Sequence, residues 1–131
     1  MKRFKKIIFL ALLGSLLASC SPSQASRLGY REISVEEAKK LMKTEKNYVI
    51  LDVRTPEEFA EGHIPGAINV ANEDIADAEI PSLPDKSQLI LVYCRSGRRS
   101  KEAAKKLVAL GYTNIVEFGG ILDWTGELEK G

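Results

Sequence analysis

One short segment gathers the residue types best suited to covalent chemistry: a thiol, a glycine and three arginines. It reads Cys94-Arg95-Ser96-Gly97-Arg98-Arg99-Ser100. Backbone N–H groups lining a tight turn bind an anion, and a helix N-terminus adds positive potential. The same field favours the thiolate form of a cysteine. The segment therefore predicts a nucleophilic Cys94 in an anion-binding loop. Local chemistry leaves one alternative open, which is a buried, inert Cys94 beside solvated arginines.

The sequences on either side of the loop indicate how it is positioned. The apolar run 89–93 predicts a buried strand, and residues 101–110 have the apolar spacing of a helix that begins near Ser100. The thiol would then lie where a strand ends and a helix begins. In an open parallel α/β sheet, ligands bind at the carboxyl ends of the strands. We therefore expect Cys94 to lie at a ligand-binding edge.

The rest of the chain alternates between strand and helix patterns. Capping boxes begin at Ser34 and Thr55 and predict helices ending near Lys43 and Gly62. The remaining predictions are strands over 30–33, 48–51, 67–70 and 115–118, a weak helix over 72–78, a Gly119-Gly120 turn, and a last helix over 121–128. This alternation predicts a single α/β domain with a mainly parallel sheet.

The N-terminus reads as an export signal. Residues 1–19 have a basic start and an apolar stretch too short for a typical membrane span. They end in Leu-Ala-Ser before Cys20, which resembles the lipobox of bacterial lipoproteins and predicts Cys20 as a lipidation site. An ordinary cleaved signal or a retained anchor helix are the alternatives. We expect residues 20–29 to be a flexible tether and residues 30–131 to be the domain, lipid-anchored on the extracytoplasmic side (periplasm or cell surface).

The charge and the cysteine content argue against nucleic-acid binding, an internal disulfide and a metal site. Residues 1–19 hold four of the 19 basic residues and none of the 18 acidic ones, so the remainder carries a net charge of −3. A nucleic-acid-binding body is therefore not expected. With Cys20 lipidated, Cys94 is the one free thiol, and it has no internal disulfide partner. One histidine and one free cysteine cannot form a zinc site, so we expect no metal and no cofactor.

Residues from about 30 to 128 resemble a rhodanese domain. Four motifs carry the resemblance: Leu51-Asp52-Val53-Arg54 with Pro56-Glu57-Glu58-Phe59; Gly62-His63-Ile64-Pro65-Gly66-Ala67; the Cys94 to Ser100 loop; and Gly119-Gly120 with Trp124. The resemblance implies a five-stranded, mainly parallel sheet flanked by helices on both faces. It also implies a persulfide on Cys94, held by loop N–H groups.

The resemblance also implies roles for individual residues. Residues Arg95, Ser96, Gly97, Arg98, Arg99 and Ser100 form the substrate- and persulfide-binding loop. Within it, Arg95 and Arg98 stand at the entrance for anionic donors, and Arg99 and Ser100 close the loop. Asp52 and Arg54 are supporting residues. His63 is interpreted as a hydrogen-bonded turn residue and not as an acid–base partner of Cys94.

The predicted function is a sulfurtransferase that moves a sulfane sulfur from a small anionic donor such as thiosulfate to cyanide or a thiol. The alternative is a non-turnover sulfur carrier, or a rhodanese module that binds an anion or a partner. Phosphatases and arsenate reductases of this fold have five residues between cysteine and arginine, whereas four separate Cys94 from Arg99. The shorter loop favours sulfur over phosphate. The partners expected are these small molecules and the membrane, with the protein a monomer.

Overall fold

The computed structural model describes residues 27–131. The predicted signal segment 1–19, the lipidation site Cys20 and most of the predicted tether lie outside the described residues. Within residues 27–131, no helix has the length and apolar character needed to cross a membrane. Leu28, which falls in the predicted tether, packs against the hydrophobic core of the domain. The packed part of the chain therefore includes at least this tether residue.

Five strands form one sheet. They are β1 (Arg31–Glu32), β2 (Tyr48–Asp52), β3 (Ile68–Asn69), β4 (Leu89–Cys94) and β5 (Ile115–Gly120). Their order is β1-β5-β4-β2-β3, and every pair of neighbours is parallel. Strand β4 therefore lies at the centre, where both of its faces are covered, which explains its continuous apolar sequence. The predicted five-stranded parallel sheet is confirmed.

Within residues 27–131, the sheet is flanked by the helices α1 (Val35–Thr44), α2 (Pro56–Glu61) and α3 (Arg98–Ala109). Both predicted capping boxes are present, since Ser34 accepts from the N–H of Glu37 and Thr55 accepts from the N–H of Glu58. Each cap side chain binds a backbone N–H group of the first turn that has no partner within the helix.

Alternate side chains of β4 enter two separate cores. Ile90 and Val92 pack with Ala103 and Leu107 of α3, and Cys94 belongs to the same cluster. Leu91 and Tyr93 face the other way, in a cluster that includes Ala38 of α1 and Phe118. The predicted arrangement of helices on both faces is therefore correct. Because Cys94 points to the α3 side, its sulfur lies on the face where α3 begins.

Three sequence predictions about local structure are wrong. Residues 72–78 form only a 3-10 turn, Asn72–Asp74, because this acidic stretch offers few apolar side chains to bury. The last predicted helix is likewise a single 3-10 turn, Ile121–Asp123, since the backbone is extended at Trp124. Helix α3 begins at Arg98, two residues before Ser100, near which its start is predicted.

The third wrong prediction is the Gly119-Gly120 turn, because both glycines are instead the last residues of β5. Val92 pairs with Glu117 and Cys94 pairs with Gly120, so β5 carries one extra residue in this interval. Gly119 absorbs it with a φ of +87°, which favours glycine. This bulge shifts the end of β5 by one residue beside the Cys94 loop.

Candidate active site at the Cys94 loop

The Cys94 sulfur is buried at the junction of β4 and α3. Cys94 is 1% exposed, and its Sγ accepts a hydrogen bond from the N–H of Gly97 at 3.0 Å. Gly97 is the N-cap of α3 and has a φ of +121°, a conformation that side chains disfavour. The sulfur thus lies at the positive end of a 12-residue helix. This geometry stabilises a negative charge on sulfur.

The loop packs directly on the end of β5. The carbonyl of Arg95 accepts a hydrogen bond from the N–H of Leu122 at 3.2 Å. Gly120 lies so close beneath it that a Cβ there would collide with the Arg95 carbonyl and the Ser96 nitrogen. A residue without a side chain is therefore required at position 120, where the loop backbone rests on the strand.

A buried polar network lies behind the sulfur. The Ser100 hydroxyl oxygen is 3.4 Å from Cys94 Sγ and 2.6 Å from Oε1 of Glu117. The N–H of Gly119 donates to the same carboxylate oxygen at 2.8 Å. Glu117 is 2% exposed, and this burial raises its pKa above the ordinary glutamate value.

Glu117 was missed by the sequence analysis. Its position in the strand Ile115–Gly120 is the signal that could have identified it, because a single carboxylate interrupts an otherwise apolar run. In a strand covered on both faces, such a residue is buried, and buried carboxylates need specific partners. Which partners it meets depends on the packing of α3 against β5.

The three loop arginines have different environments. Arg99 makes a bidentate pair with Glu58 of α2, with distances of 2.7 and 3.0 Å, and this contact lowers the pKa of Glu58 to about 2. Arg98 pairs with Glu102 one turn along α3. The exposed side chain of Arg95 has no hydrogen-bond partner or ion pair within residues 27–131. Arg99 thus ties the loop to α2, whereas the Arg95 charge faces solvent.

Asp52 and Arg54 form a buried ion pair at the end of β2. The guanidinium of Arg54 lies 2.7 Å from Oδ2 of Asp52 and donates a further bond of 2.7 Å to the carbonyl of Gly62. The pair thereby joins the end of β2 to the Gly-His-Ile-Pro-Gly turn. The end of β2 and this turn are thereby held at the edge of the sheet where the loop lies.

A depression of about 480 Å³ opens beside the loop. It is lined by Arg54, Glu58, Glu61, Arg95, Arg99 and Ile121. Three of these residues are cationic, and the side chain of Arg95 is the one without an acidic partner among the described residues. A larger depression of about 700 Å³ lies near the first residues of β4, at the opposite end of the strand from Cys94. The smaller depression borders the Cys94 loop and is lined by more cationic than acidic residues, which suits an anion approaching Cys94.

His63 takes part in a structural contact, as the sequence analysis interpreted it. Its ring stacks on Phe59 with centroids 3.7 Å apart, and its Nδ1 lies 2.9 Å from the Phe59 carbonyl. Its backbone pairs with that of Glu129, which attaches the C-terminal segment to the turn. Over residues 27–131, no group of three or more His, Cys, Asp or Glu is placed to bind a metal ion.

Comparison with known proteins gives one consistent result. The model of the rhodanese-like domain family matches residues 34–127. Thiosulfate sulfurtransferase PspE of Escherichia coli strain K12 is 37% identical over 73 residues, which cover 56% of this chain and 70% of that protein. The putative sulfurtransferase YtwF of Bacillus subtilis strain 168 is 35% identical over 97 residues, covering 74% of this chain and 92% of that protein. The solved structure "rhodanese with anions from E. coli" has a TM-score of 0.59 and 34% identity, covering 64% of this chain and 99% of its own.

Proposed function

Because this chain belongs to the rhodanese-like domain family and is a rhodanese-like enzyme, we propose that it transfers sulfane sulfur through a persulfide on Cys94. One observation carries the proposal. The Cys94 sulfur lies at the N-terminus of α3, where the Gly97 N–H donates to it at 3.0 Å, and a cationic depression lies next to its loop. This is an environment for a thiolate that meets an anionic donor.

The first half-reaction follows from thiolate chemistry. The Cys94 thiolate attacks the outer sulfur of thiosulfate, an S–S bond forms to the enzyme, and the S–S bond of the donor breaks. Sulfite leaves with that bonding electron pair, and Cys94 becomes a persulfide anion. In the second half-reaction cyanide or a thiol attacks the outer sulfur and the Cys94 thiolate is restored. Charge is conserved in each step, and no external oxidant or reductant is needed.

The residues around the sulfur have distinct parts in this scheme. Loop N–H groups, with that of Gly97 nearest, stabilise the negative charge of the thiolate and of the persulfide. Arg95 attracts the anionic donor, because its charge is exposed beside the depression. Arg99 fixes the loop against α2 through Glu58. Asp52 and Arg54 support the same edge from β2.

Burial of the sulfur bears on the acceptor. Cys94 is 1% exposed, so an acceptor must enter the loop depression to reach the outer sulfur. A small nucleophile such as cyanide or a low-molecular-weight thiol meets this requirement more readily than a folded protein. We therefore propose small thiophilic acceptors as the substrates of the second half-reaction.

We also propose that the protein acts at a membrane surface outside the cytoplasm. The support is the sequence of residues 1–20, with its basic start, apolar stretch and Cys20 after small residues. Expression of the full chain in bacteria, followed by fractionation, tests the idea. Wild type is expected in the membrane fraction with acyl chains on Cys20, and Cys20→Ser is expected to lose both. An unmodified Cys20 in the wild-type protein would refute the anchor.

The central test measures sulfur on Cys94. The full chain is incubated with thiosulfate and its intact mass is recorded, and thiocyanate is then measured after cyanide is added. Wild type is expected to gain one sulfur atom and to turn over. Cys20→Ser is a matched control that removes the other cysteine and is expected to keep both properties, whereas Cys94→Ser loses both. A stable added sulfur without thiocyanate would identify a carrier, and an unchanged wild-type mass would refute sulfur chemistry.

A further inference from the structure

Ser100 stands between the Cys94 sulfur and a carboxylate that the scheme above does not use. Its hydroxyl oxygen is 3.4 Å from Cys94 Sγ and 2.6 Å from Glu117 Oε1. We propose that Glu117 receives, through Ser100, the proton that the Cys94 thiol gives up when it becomes a thiolate. Glu117 is thus a positioning and proton-storing residue for Cys94, in an inference that rests on the proposed function because thiolate is the form that attacks sulfur.

The direction of the hydrogen bonds supports this relay. The Ser100 hydroxyl has one proton and three acceptors within reach, which are the carbonyls of Gly97 at 3.0 Å and Gly119 at 3.2 Å and Oε1 of Glu117 at 2.6 Å. The contact with Glu117 is the shortest, and 2.6 Å is typical of a hydroxyl that donates to an ionised carboxylate. When Ser100 donates to Glu117, its oxygen lone pairs are available to the thiol proton of Cys94. The thiol therefore donates to Ser100, and Ser100 donates to Glu117. All three residues of the relay are buried, with exposures of 1% for Cys94, 0% for Ser100 and 2% for Glu117.

Proton transfer along these hydrogen bonds leaves the net charge of the buried site unchanged. The S–H bond of Cys94 breaks as an O–H bond forms on Ser100, and the original Ser100 proton passes to Oε1 of Glu117. The products are a thiolate, a neutral serine that now donates to it, and a neutral carboxylic acid. The buried site carries one negative charge before and after the step. A second charge within about 6 Å, the sum of the two contacts, would be strongly disfavoured.

Within residues 27–131, the other titratable groups that interact with the pair are Lys101, Glu32, Tyr30 and Arg99. Lys101 of α3 acts on Glu117 and favours its ionised form, whereas Glu32 of β1 disfavours it. From α3, Arg99 interacts with the charge of Cys94. Strand β4 places the apolar Val92 opposite Glu117. Burial raises the pKa of Glu117, which brings its proton affinity closer to that of a thiol.

A route to solvent exists for the stored proton. Glu117 lines a depression of about 640 Å³ together with Ser96, Gly97 and Lys101. The carboxyl group can therefore exchange its proton with water between turnovers, although the residue itself is almost wholly buried.

A structural role predicts something different. If Glu117 only fixed the bulge through its bond to the Gly119 N–H, its removal would alter stability but would leave the shape of the pH profile of Cys94 reactivity unchanged. A relay instead changes how thiolate formation depends on pH. While the pair retains one proton, the fraction of thiolate is set by internal transfer and is independent of pH. The rate of thiolate chemistry should then have a plateau, with a second rise when the last proton leaves.

The experiment follows alkylation of Cys94 by iodoacetamide, an uncharged reagent, in the Cys20→Ser background between mildly acidic and alkaline pH. The protein with Glu117 unchanged is expected to show the plateau in the alkylation rate. Glu117→Gln, which keeps the shape, is expected to replace it by a single titration. Ser100→Ala is expected to lower the plateau rate, because the bridging hydroxyl is lost. Circular dichroism at each pH verifies that the variants are folded.

Glu32→Gln is the matched control. It is the same substitution on β1, directly across from Glu117 in the sheet, and Glu32 has no contact with Ser100. The plateau is expected to persist in this variant. The relay would be overturned by a wild-type profile with a single titration, or by a Glu117→Gln profile equal to that of wild type. It would also be overturned if Glu32→Gln removed the plateau to the same extent as Glu117→Gln. If thiosulfate leaves no sulfur on a wild type that has the plateau, the proposed function fails and the relay stands.

Discussion

Replacing Gly120 with alanine should separate the geometry of the loop from the stability of the fold. The φ of Gly120 is −149°, which any residue adopts, so the substitution adds no backbone strain. The new Cβ would overlap the Arg95 carbonyl, and the loop backbone must move by about 1 Å to relieve the overlap. A displacement of about 1 Å in a reacting geometry can lower the rate about 10²-fold. Overpacking of this kind typically costs about 1–3 kcal/mol of stability.

The assay is persulfide formation on Cys94 from thiosulfate, with urea unfolding measured in parallel. Gly111→Ala is the matched control, because Gly111 has a φ of +95° and an added Cβ there meets nothing within 4 Å. It should lose roughly 1–2 kcal/mol through backbone strain and retain its activity per folded molecule. If Gly120→Ala formed persulfide as fast as Gly111→Ala at similar stability, the close approach at Gly120 would not control the loop.

Three further predictions concern charged residues around the loop. Glu58→Gln should cost about 1 kcal/mol near neutral pH, because the pair with Arg99 is partly exposed. The pKa of Glu58 is about 2 in the folded protein against an ordinary 4.5. The stabilisation by the ion pair is therefore present above about pH 4.5 and is lost as the pH falls towards 2. Unfolding measured across this range should show this loss of stability in wild type and not in Glu58→Gln. Asp52→Asn should cost about 3–5 kcal/mol in urea unfolding, because it leaves Arg54 buried without its partner. Arg95→Gln should raise KM for thiosulfate about fivefold, the equivalent of about 1 kcal/mol, with the effect weakening at high salt.

Each of these predictions has a comparison that could contradict it. A Glu58→Gln protein with the wild-type pH dependence of stability would show that the ion pair is not the acid-sensitive contact. Replacing Asp52 by leucine together with Arg54 by methionine should be less costly than Asp52→Asn alone. Arg98→Gln should have a smaller effect on KM than Arg95→Gln, because Arg98 is paired with Glu102. Equal effects of these two arginine variants would refute the assignment of Arg95.

Much of the architecture could be predicted because its causes are local. The capping boxes at Ser34 and Thr55 depend on residues three positions apart, and the structure contains both. The apolar run before Cys94 is a central strand because only a strand covered on both faces is apolar throughout. The wrong predictions fall where local signals are weak. Residues 121–128 look helical, but Trp124 adopts an extended backbone and only one 3-10 turn forms.

The loop arginines could be named from the sequence but could not be told apart. Arg95, Arg98 and Arg99 are near neighbours in the chain, and each carries the same charge. Their environments depend on what packs nearby: Glu58 of α2 binds Arg99, and Glu102 binds Arg98. The contact between Glu58 and Arg99 joins residues 41 positions apart, which no local pattern reveals.

The sequence by itself determined the Cys94 loop, its size, and the strand and helix that hold it, because these depend on neighbouring residues and on chain periodicity. Only the tertiary structure decided which buried polar residues lie next to the sulfur. Glu117 follows Cys94 by 23 positions and reaches Ser100 because β5 pairs beside β4 and its Glu117 lies under the first turn of α3. Parallel pairing brings together segments that the chain separates with a whole helix, so a buried network of this kind exists only after the sheet has formed.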